Sequence, residues 1–267
     1  MSATWKIILI STIIVSPLFS HSLQQNSPYK RPVTEKTVFF RIGNKNLPLK
    51  ITRYSERRDI VFINLHHNEF TAVDAAKKLL QQHGGILIEI ENNRQRNVHF
   101  RLGKTGYHFD PNCIFSAAGI KKYLVKNSRY DKKAAHEIEQ LGKRILNLIP
   151  EDVLCVIALH NNTDGAYSAL SYTEGLEKAT DAAQVHIHSA NDPDDFFFTT
   201  DEKLFKLLSA ENYNAVLQDN ENCTDDGSLS VYCGKKNIRY VNIETEHGKL
   251  SEYREMISIL LEKIELK

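Results

Sequence analysis

The sequence predicts an α/β domain: a single unit built on a mostly parallel or mixed, twisted sheet with helices on both faces. Three observations carry that prediction. Short apolar runs alternate with longer segments whose apolar residues recur at helical spacing, the pattern of strands joined by crossover helices. Three of the runs close on polar clusters, Leu65-His66-His67-Asn68-Glu69, Leu159-His160-Asn161-Asn162 and Asn242-Ile243-Glu244-Thr245-Glu246. In a parallel sheet such strand ends open onto one crevice, where ligands bind. Finally, 267 residues with 42% hydrophobic and 25% charged side chains are enough for one sizeable core.

Taken in order, the chain opens with Lys6, an apolar stretch over residues 7–15, Pro17 and the small residues of Ser20-His21-Ser22. This is the layout of a secretory signal spanning residues 1–22. Its apolar core falls short of the roughly 20 residues a membrane span needs. A secreted or periplasmic protein with no stable membrane association after cleavage is therefore expected. Residues 23–35 are rich in Gln, Asn, Ser, Pro and Lys and read as a flexible lead-in to a folded domain at residues 36–267.

Within that domain, residues 38–42 and 47–54 read as a strand pair around the Gly43-Asn44-Lys45-Asn46 turn. A strand at residues 59–65 leads into a helix at 71–83, carried by Ala72, Val73, Ala76, Leu79 and Leu80 and stopped by Gly84-Gly85. A strand at 85–91, a helix at 132–148 ending before Pro150, and a strand at 153–159 follow. Residues 215–218 and 239–243 read as buried strands, with a short helix at 227–235 and a closing amphipathic helix at 250–265. The segment 192–201, with Asp-Pro-Asp-Asp and three consecutive phenylalanines, is expected to be an edge strand or a surface insertion.

A net charge of +1 with no long basic run offers no footprint for nucleic acid. Neither a Gly-x-Ser-x-Gly elbow nor a Gly-x-Gly-x-x-Gly phosphate loop occurs, which speaks against serine hydrolase and dinucleotide chemistry. Export would permit disulfides among the four cysteines. Cys223 and Cys233 are placed to bridge across the Asp225-Asp226-Gly227 loop, whereas Cys155, inside an apolar run, reads as a buried free thiol.

A hydrolytic zinc site needs three ligands from His, Asp or Glu and an open position for a water, whose pKa it lowers to about 7. His66 and Glu69, three apart at a strand-to-helix junction, and His160 far downstream supply that set for one zinc ion. Hydrolysis also needs a base that takes the proton from the water and returns it to the leaving amine. Glu244 and Glu246 share one face of their strand and both qualify.

These residues resemble the zinc carboxypeptidases and their succinylglutamate desuccinylase and aspartoacylase relatives. His66-His67-Asn68-Glu69 is similar to the family's His-Gly-Asn-Glu ligand motif, with His67 in the glycine place. The resemblance implies a zinc-carboxypeptidase-like fold, His66, Glu69 and His160 as ligands, and Glu244 rather than Glu246 as catalytic glutamate. Asp110-Pro111-Asn112-Cys113 resembles the Asn-Arg motif that grips a substrate carboxylate, which makes Asn112 a substrate contact. Cys113 departs from it, since a thiol cannot replace a bidentate guanidinium. Either another cation substitutes, Arg101 foremost, with Arg94, Arg96 and Lys104 as alternatives, or the substrate carries no free carboxylate there.

Other features have plainer readings. His186-Ile187-His188 places two rings on one strand face, more in the manner of surface polar positions than of a metal site. Asp225-Asp226-Gly227-Ser228 reads as a turn with a helix cap, and the Asn-x-Thr sequon at Asn161 as a chance match beside a ligand. The expected function is an exported zinc hydrolase that cleaves an amide bond of a small peptide or N-acyl amino acid. The alternative, prompted by Cys113, is an exported binding protein on the same fold that has lost catalysis.

Overall fold

Two strands, β1 (Val33–Ile42) and β2 (Lys45–Tyr54), form the opening hairpin of the computed structural model, which describes residues 33–265. The expected signal, residues 1–22, and residues 23–32 of the lead-in lie outside the described residues. Pairing already begins at Val33 opposite Tyr54, so residues 33–35 belong to the sheet. The chain continues through β3 (Ile60–Asn64), α1 (Phe70–His83), β4 (Gly85–Ile90) and the hairpin β5 (Val98–Leu102) and β6 (Thr105–Phe109). Next come α2 (Ala117–Asn127), α3 (Lys132–Leu146), β7 (Cys155–Asn162), β8 (Ala182–His186), β9 (Phe196–Thr199) and α4 (Glu202–Ala210). β10 (Asn214–Gln218), α5 (Leu229–Lys235), β11 (Tyr240–Glu246) and α6 (Leu250–Glu265) complete it.

The result is a mixed α/β fold whose nine-stranded sheet runs β1-β2-β4-β3-β7-β11-β9-β10-β8. Its centre, β4-β3-β7-β11, is parallel, and antiparallel strands flank it on both sides. The central strands are buried on both faces, which is why they read as continuous apolar runs. Their side chains still alternate. Val61, Ile63, Val156 and Ala158 pack with α2, α3 and α5 on one face. Ile60, Phe62, Ile157 and Leu159 pack with α1, α4 and α6 on the other.

Two expectations change here. Residues 196–199 form neither an edge nor an insertion but an interior strand, β9, held between β11 and β10. Its phenylalanines split between layers: Phe197 joins the α1/α6 core, while Phe196 and Phe198 pack with Tyr172 and Val216. The four cysteines are all free thiols, so no bridge joins Cys223 to Cys233. Cys233 is buried within α5 against the sheet, and Cys223 lies half-buried on the far loop. No helix among the described residues is long and apolar enough to cross a membrane.

One close approach positions the site. Gly227, at φ +81°, lies against Gly119 of α2 so tightly that a Cβ on Gly119 would meet Gly227 Cα at 2.2 Å. A Cβ on Gly227 would meet the Cys113 carbonyl at 2.6 Å. The loop 225–228 is thereby pressed onto the turn that carries residues 110–113, and Phe115 N donates to Gly227 O at 2.8 Å.

Candidate metal centre

Parallel pairing brings the three sequence clusters together. β7 lies between β3 and β11, with Ile63 beside Ala158 and His160 beside Glu244. Beyond β3 the chain turns so that Glu69 N donates to His66 O at 3.1 Å, and Glu69 becomes the N-cap residue of α1 without capping it by its own side chain. That cap comes from the neighbouring strand: Asn161 Oδ1 accepts from Ala72 N at 3.1 Å, while its Nδ2 donates to Thr245 O at 3.2 Å. One buried amide therefore ties the ends of β7 and β11 to the start of α1. Asn161 is thus a structural clamp, and its burial gives the sequon no surface to offer.

His66, Glu69 and His160 are all buried and point at one another. His66 Nδ1 lies 3.0 Å from Glu69 Oε1 and 3.1 Å from His160 Nδ1, and His160 Nδ1 lies 3.1 Å from Glu69 Oε2. The last of these contacts is outside hydrogen-bond geometry, so Glu69 Oε2 has no hydrogen-bond partner among the described residues. On its other edge, His66 Nε2 donates to Asp110 Oδ1 at 2.7 Å. That bond fixes the tautomer and leaves Nδ1 as the ligating nitrogen, as outer carboxylates commonly do for metal-bound histidines.

Electrostatics agree with this donor set. Burial alone would make His66 harder to protonate, but Glu69 and Asp110 outweigh it and raise the ring to about 9. Glu69 is pushed up by burial yet held down at about 2 by His160 and His66. Asp110, likewise opposed by burial, is held well below the carboxylate range by His66 and Arg96. Two imidazole Nδ1 atoms and a carboxylate that converge on one another are a donor set of the kind zinc takes.

Arg96 supplies the positive charge beside the cluster. Its Nη1 donates to Glu69 Oε1 at 2.9 Å and its Nη2 lies 3.2 Å from Asp110 Oδ2. Arg101 is corrected here. It sits on the outer β5–β6 hairpin with its guanidinium on the Lys104 carbonyl at 3.0 Å, and the structure does not bring it to the cluster. Arg96 lies on the loop between β4 and β5, within reach, whereas Arg101 is carried outward by the hairpin.

The cluster opens onto a cavity of about 420 Å³ whose wall includes Glu69, Arg96, Asn112, His160 and Glu244. Glu244 is buried, its carboxyl raised by burial against the lowering effects of His160 and of Asn242, whose Nδ2 donates to Glu244 Oε1 at 2.9 Å. Glu246 is not in that wall; it pairs with Lys249 at 2.7 Å. Asn112 Oδ1 accepts from Leu229 N at 3.2 Å, which leaves its Nδ2 as the donor available to the cavity.

His67 accepts from Asn92 N at 2.6 Å through Nδ1 and is not aimed at the cluster. His186 and His188 join no third ligand: among the described residues, the other group of suitable geometry is Asp164, Asp194 and Glu246. Asp192, beside that histidine pair in sequence, is taken by Lys249 at 2.6 Å. Sequence reasoning missed Asn161 and Lys178 of the cavity wall and Asp110 behind His66. Only Asp110 carried a usable signal, as an acid preceding Pro111 in a segment already tied to the site.

No protein-family model and no curated protein matches the chain. Solved structures similar to it include an aspartoacylase family protein from Mesorhizobium loti, 15% identical, with a TM-score of 0.48 over 90% of this chain and 69% of that one. Another is the murein-tripeptide amidase MpaA from Escherichia coli O157, 12% identical, TM-score 0.46, covering 89% and 94%. A third is bovine thrombin-activatable fibrinolysis inhibitor, solved with tick carboxypeptidase inhibitor, 11% identical, TM-score 0.45, covering 86% and 88%.

Proposed function

We propose that the protein is an exported, zinc-dependent hydrolase that cleaves an amide bond in a small peptide or N-acyl amino acid. The observation that carries this is the convergence of His66 Nδ1, His160 Nδ1 and the Glu69 carboxylate within 3.1 Å of one another, beside Glu244 in one cavity wall. His66, Glu69 and His160 would hold the zinc, which when bound acidifies water and polarises the scissile carbonyl. Asp110 keeps the His66 ring in its ligating tautomer. Glu244, buried and raised in pKa, is suited to take a proton from the attacking water and return it to the leaving nitrogen. Arg96, half-exposed at the cavity wall, offers a fixed positive charge to the oxygen that becomes anionic during attack.

A cavity of about 420 Å³ is the size of a small-molecule pocket and favours short substrates over folded proteins. The catalytically silent reading is disfavoured by Glu244: a binding protein has no need of a buried carboxylate at the strand position next to a ligand. Export rests on the sequence of residues 1–22. The test is turnover of a library of dipeptides and N-acyl amino acids by the zinc-loaded protein. Turnover that vanishes in Glu244→Gln with zinc retained supports the reading, and turnover unchanged in that variant, or none in the wild type, refutes it.

A further inference from the structure

The nine-stranded sheet has two edges, and they differ. β8 is five residues long, and its ladder with β10 slips between Leu217 and Gln218, which leaves little for another chain to pair with. β1 is ten residues long, contains no proline and keeps one unbroken register with β2 from Val33 to Ile42. Among the described residues, no strand pairs with its outer side. A long, regular edge of this kind is a template for a further strand.

The hairpin decides which groups that edge offers. Ile42 and Lys45 are partners across the two-residue turn Gly43-Asn44, so hydrogen bonding to β2 falls on Ile42, Phe40, Val38 and Lys36. The N–H and C=O groups of Glu35, Thr37, Phe39 and Arg41 therefore turn outward. Their side chains share the exposed face of the strand, whereas Val38 and Phe40 pack towards the core that α3 covers. Phe39 is 67% exposed, more than any other large apolar side chain among the described residues. Arg41 is exposed and in no ion pair among the described residues, and Glu35, which meets Lys50 at 3.2 Å, is itself exposed.

A second copy of β1 answers this pattern. Two copies related by a two-fold axis pair antiparallel, and outward groups must meet outward groups, so odd-numbered residues oppose odd-numbered ones. Centring the axis on Thr37 sets Glu35 opposite the partner's Phe39, and centring it on Phe39 sets Arg41 opposite the partner's Thr37. Centring it on Val38 sets Glu35 opposite the partner's Arg41 at both ends of the seam, with the two Phe39 rings as diagonal neighbours between them. Opposite charges directly across a ladder, and aromatic side chains on its diagonals, stabilise strand pairing.

We propose that the protein is a two-fold dimer joined edge to edge through β1, antiparallel about Val38, with Glu35–Arg41 pairs flanking the Phe39 rings. The metal centre lies beyond β2, β4 and β3 from that seam, so the dimer stands independently of the hydrolase reading.

Sedimentation velocity and light scattering on the purified protein, from about 1 to 100 μM, test it. Wild type should sediment as a dimer. Arg41→Glu turns both attractive pairs into repulsive ones and should weaken association about tenfold or more, and adding Glu35→Arg to that variant should restore it. Thr37→Pro removes an N–H that points away from β2, so it should spare the hairpin, leave the melting temperature near that of wild type and yield a monomer. If Thr37→Pro fails to fold, the charge-reversal series decides the matter alone. A wild-type protein that stays monomeric over that range overturns the proposal. So does a dimer that folded Arg41→Glu and Thr37→Pro proteins retain at full affinity, or a double variant no tighter than Arg41→Glu by itself.

Discussion

Asp110→Asn probes the metal centre without touching a ligand. Asp110 Oδ1 accepts from His66 Nε2 at 2.7 Å and from Asn112 N at 2.8 Å, and Oδ2 meets Arg96 at 3.2 Å. An asparagine keeps an acceptor for the first two contacts but removes the charge. Hydrogen bonds to charged acceptors contribute about 1.5–3 kcal/mol against about 0.5–1.5 for neutral ones, so the His66 contact loses roughly 1–1.5 kcal/mol. Losing the Arg96 pair adds less than about 1 kcal/mol, because that guanidinium is half-exposed and solvent-screened. The total, about 1–2.5 kcal/mol, corresponds to a zinc affinity roughly 5- to 70-fold weaker, in line with the effect of removing outer carboxylates from other metal sites. Competition against a chromophoric chelator measures it directly, with a thermal melt to show that the 3₁₀ turn at Pro111–Cys113, which Asp110 caps, is intact. An affinity within twofold of wild type in a normally folded variant would refute the reasoning that Asp110 sets the His66 tautomer for zinc.

Asn161→Ala removes the cap of α1 and the tie to Thr245, and should lower stability by about 1–3 kcal/mol in urea melts; a change under about 0.5 kcal/mol would show that the clamp is dispensable. Gly227→Ala, at φ +81° and 2.6 Å from the Cys113 carbonyl, should destabilise the fold in the same assay, whereas an unchanged midpoint would contradict the close approach described. Asn242 holds the Glu244 carboxyl down, so Asn242→Ala should move the acid limb of the kcat/KM profile to higher pH; an unmoved limb would separate that limb from Glu244. His66 is raised from 6.5 to about 9 in the zinc-free protein, so its stabilising contribution is complete below pH 6.5 and is lost as pH rises through about 9. Zinc-free protein should thus lose stability over that window, while zinc, competing with fewer protons, should stabilise more; a zinc-induced Tm shift that shrinks with rising pH there would contradict this.

Much of the architecture was legible because the central strands, buried on both faces, leave apolar runs that no solvent-facing element would tolerate. The helix starting after Glu69 was equally legible from Ala72, Val73, Ala76, Leu79 and Leu80, all of which are buried. What escaped had no local signature. β9 is interior only because β11 and β10 enclose it, and three consecutive phenylalanines show no two-residue alternation when both faces are covered. The β5–β6 hairpin and α2 are short and polar on their outer sides, so their weak periodicity did not stand out.

The site divides in the same way. That His66, Glu69, His160 and Glu244 come together was readable because strand ends of a parallel sheet converge. Arg101 misled because its sequence distance from Asn112 says nothing about the hairpin that carries it outward, and Arg96, five residues earlier, is the cation that reaches Glu69. Asn161 acts on α1 from 89 residues away, and only the fold makes that relation visible.

The central claim is that His66, Glu69 and His160 together bind zinc. Zinc K-edge absorption on the zinc-loaded protein, compared with His160→Ala, tests it most directly. The account predicts one zinc per chain with two imidazole nitrogens at about 2.0–2.1 Å and carboxylate oxygen at about 2.0–2.2 Å, and loss of a nitrogen ligand or of the metal in the variant. A wild-type protein that takes up no zinc, or a zinc environment unchanged by His160→Ala, would contradict it.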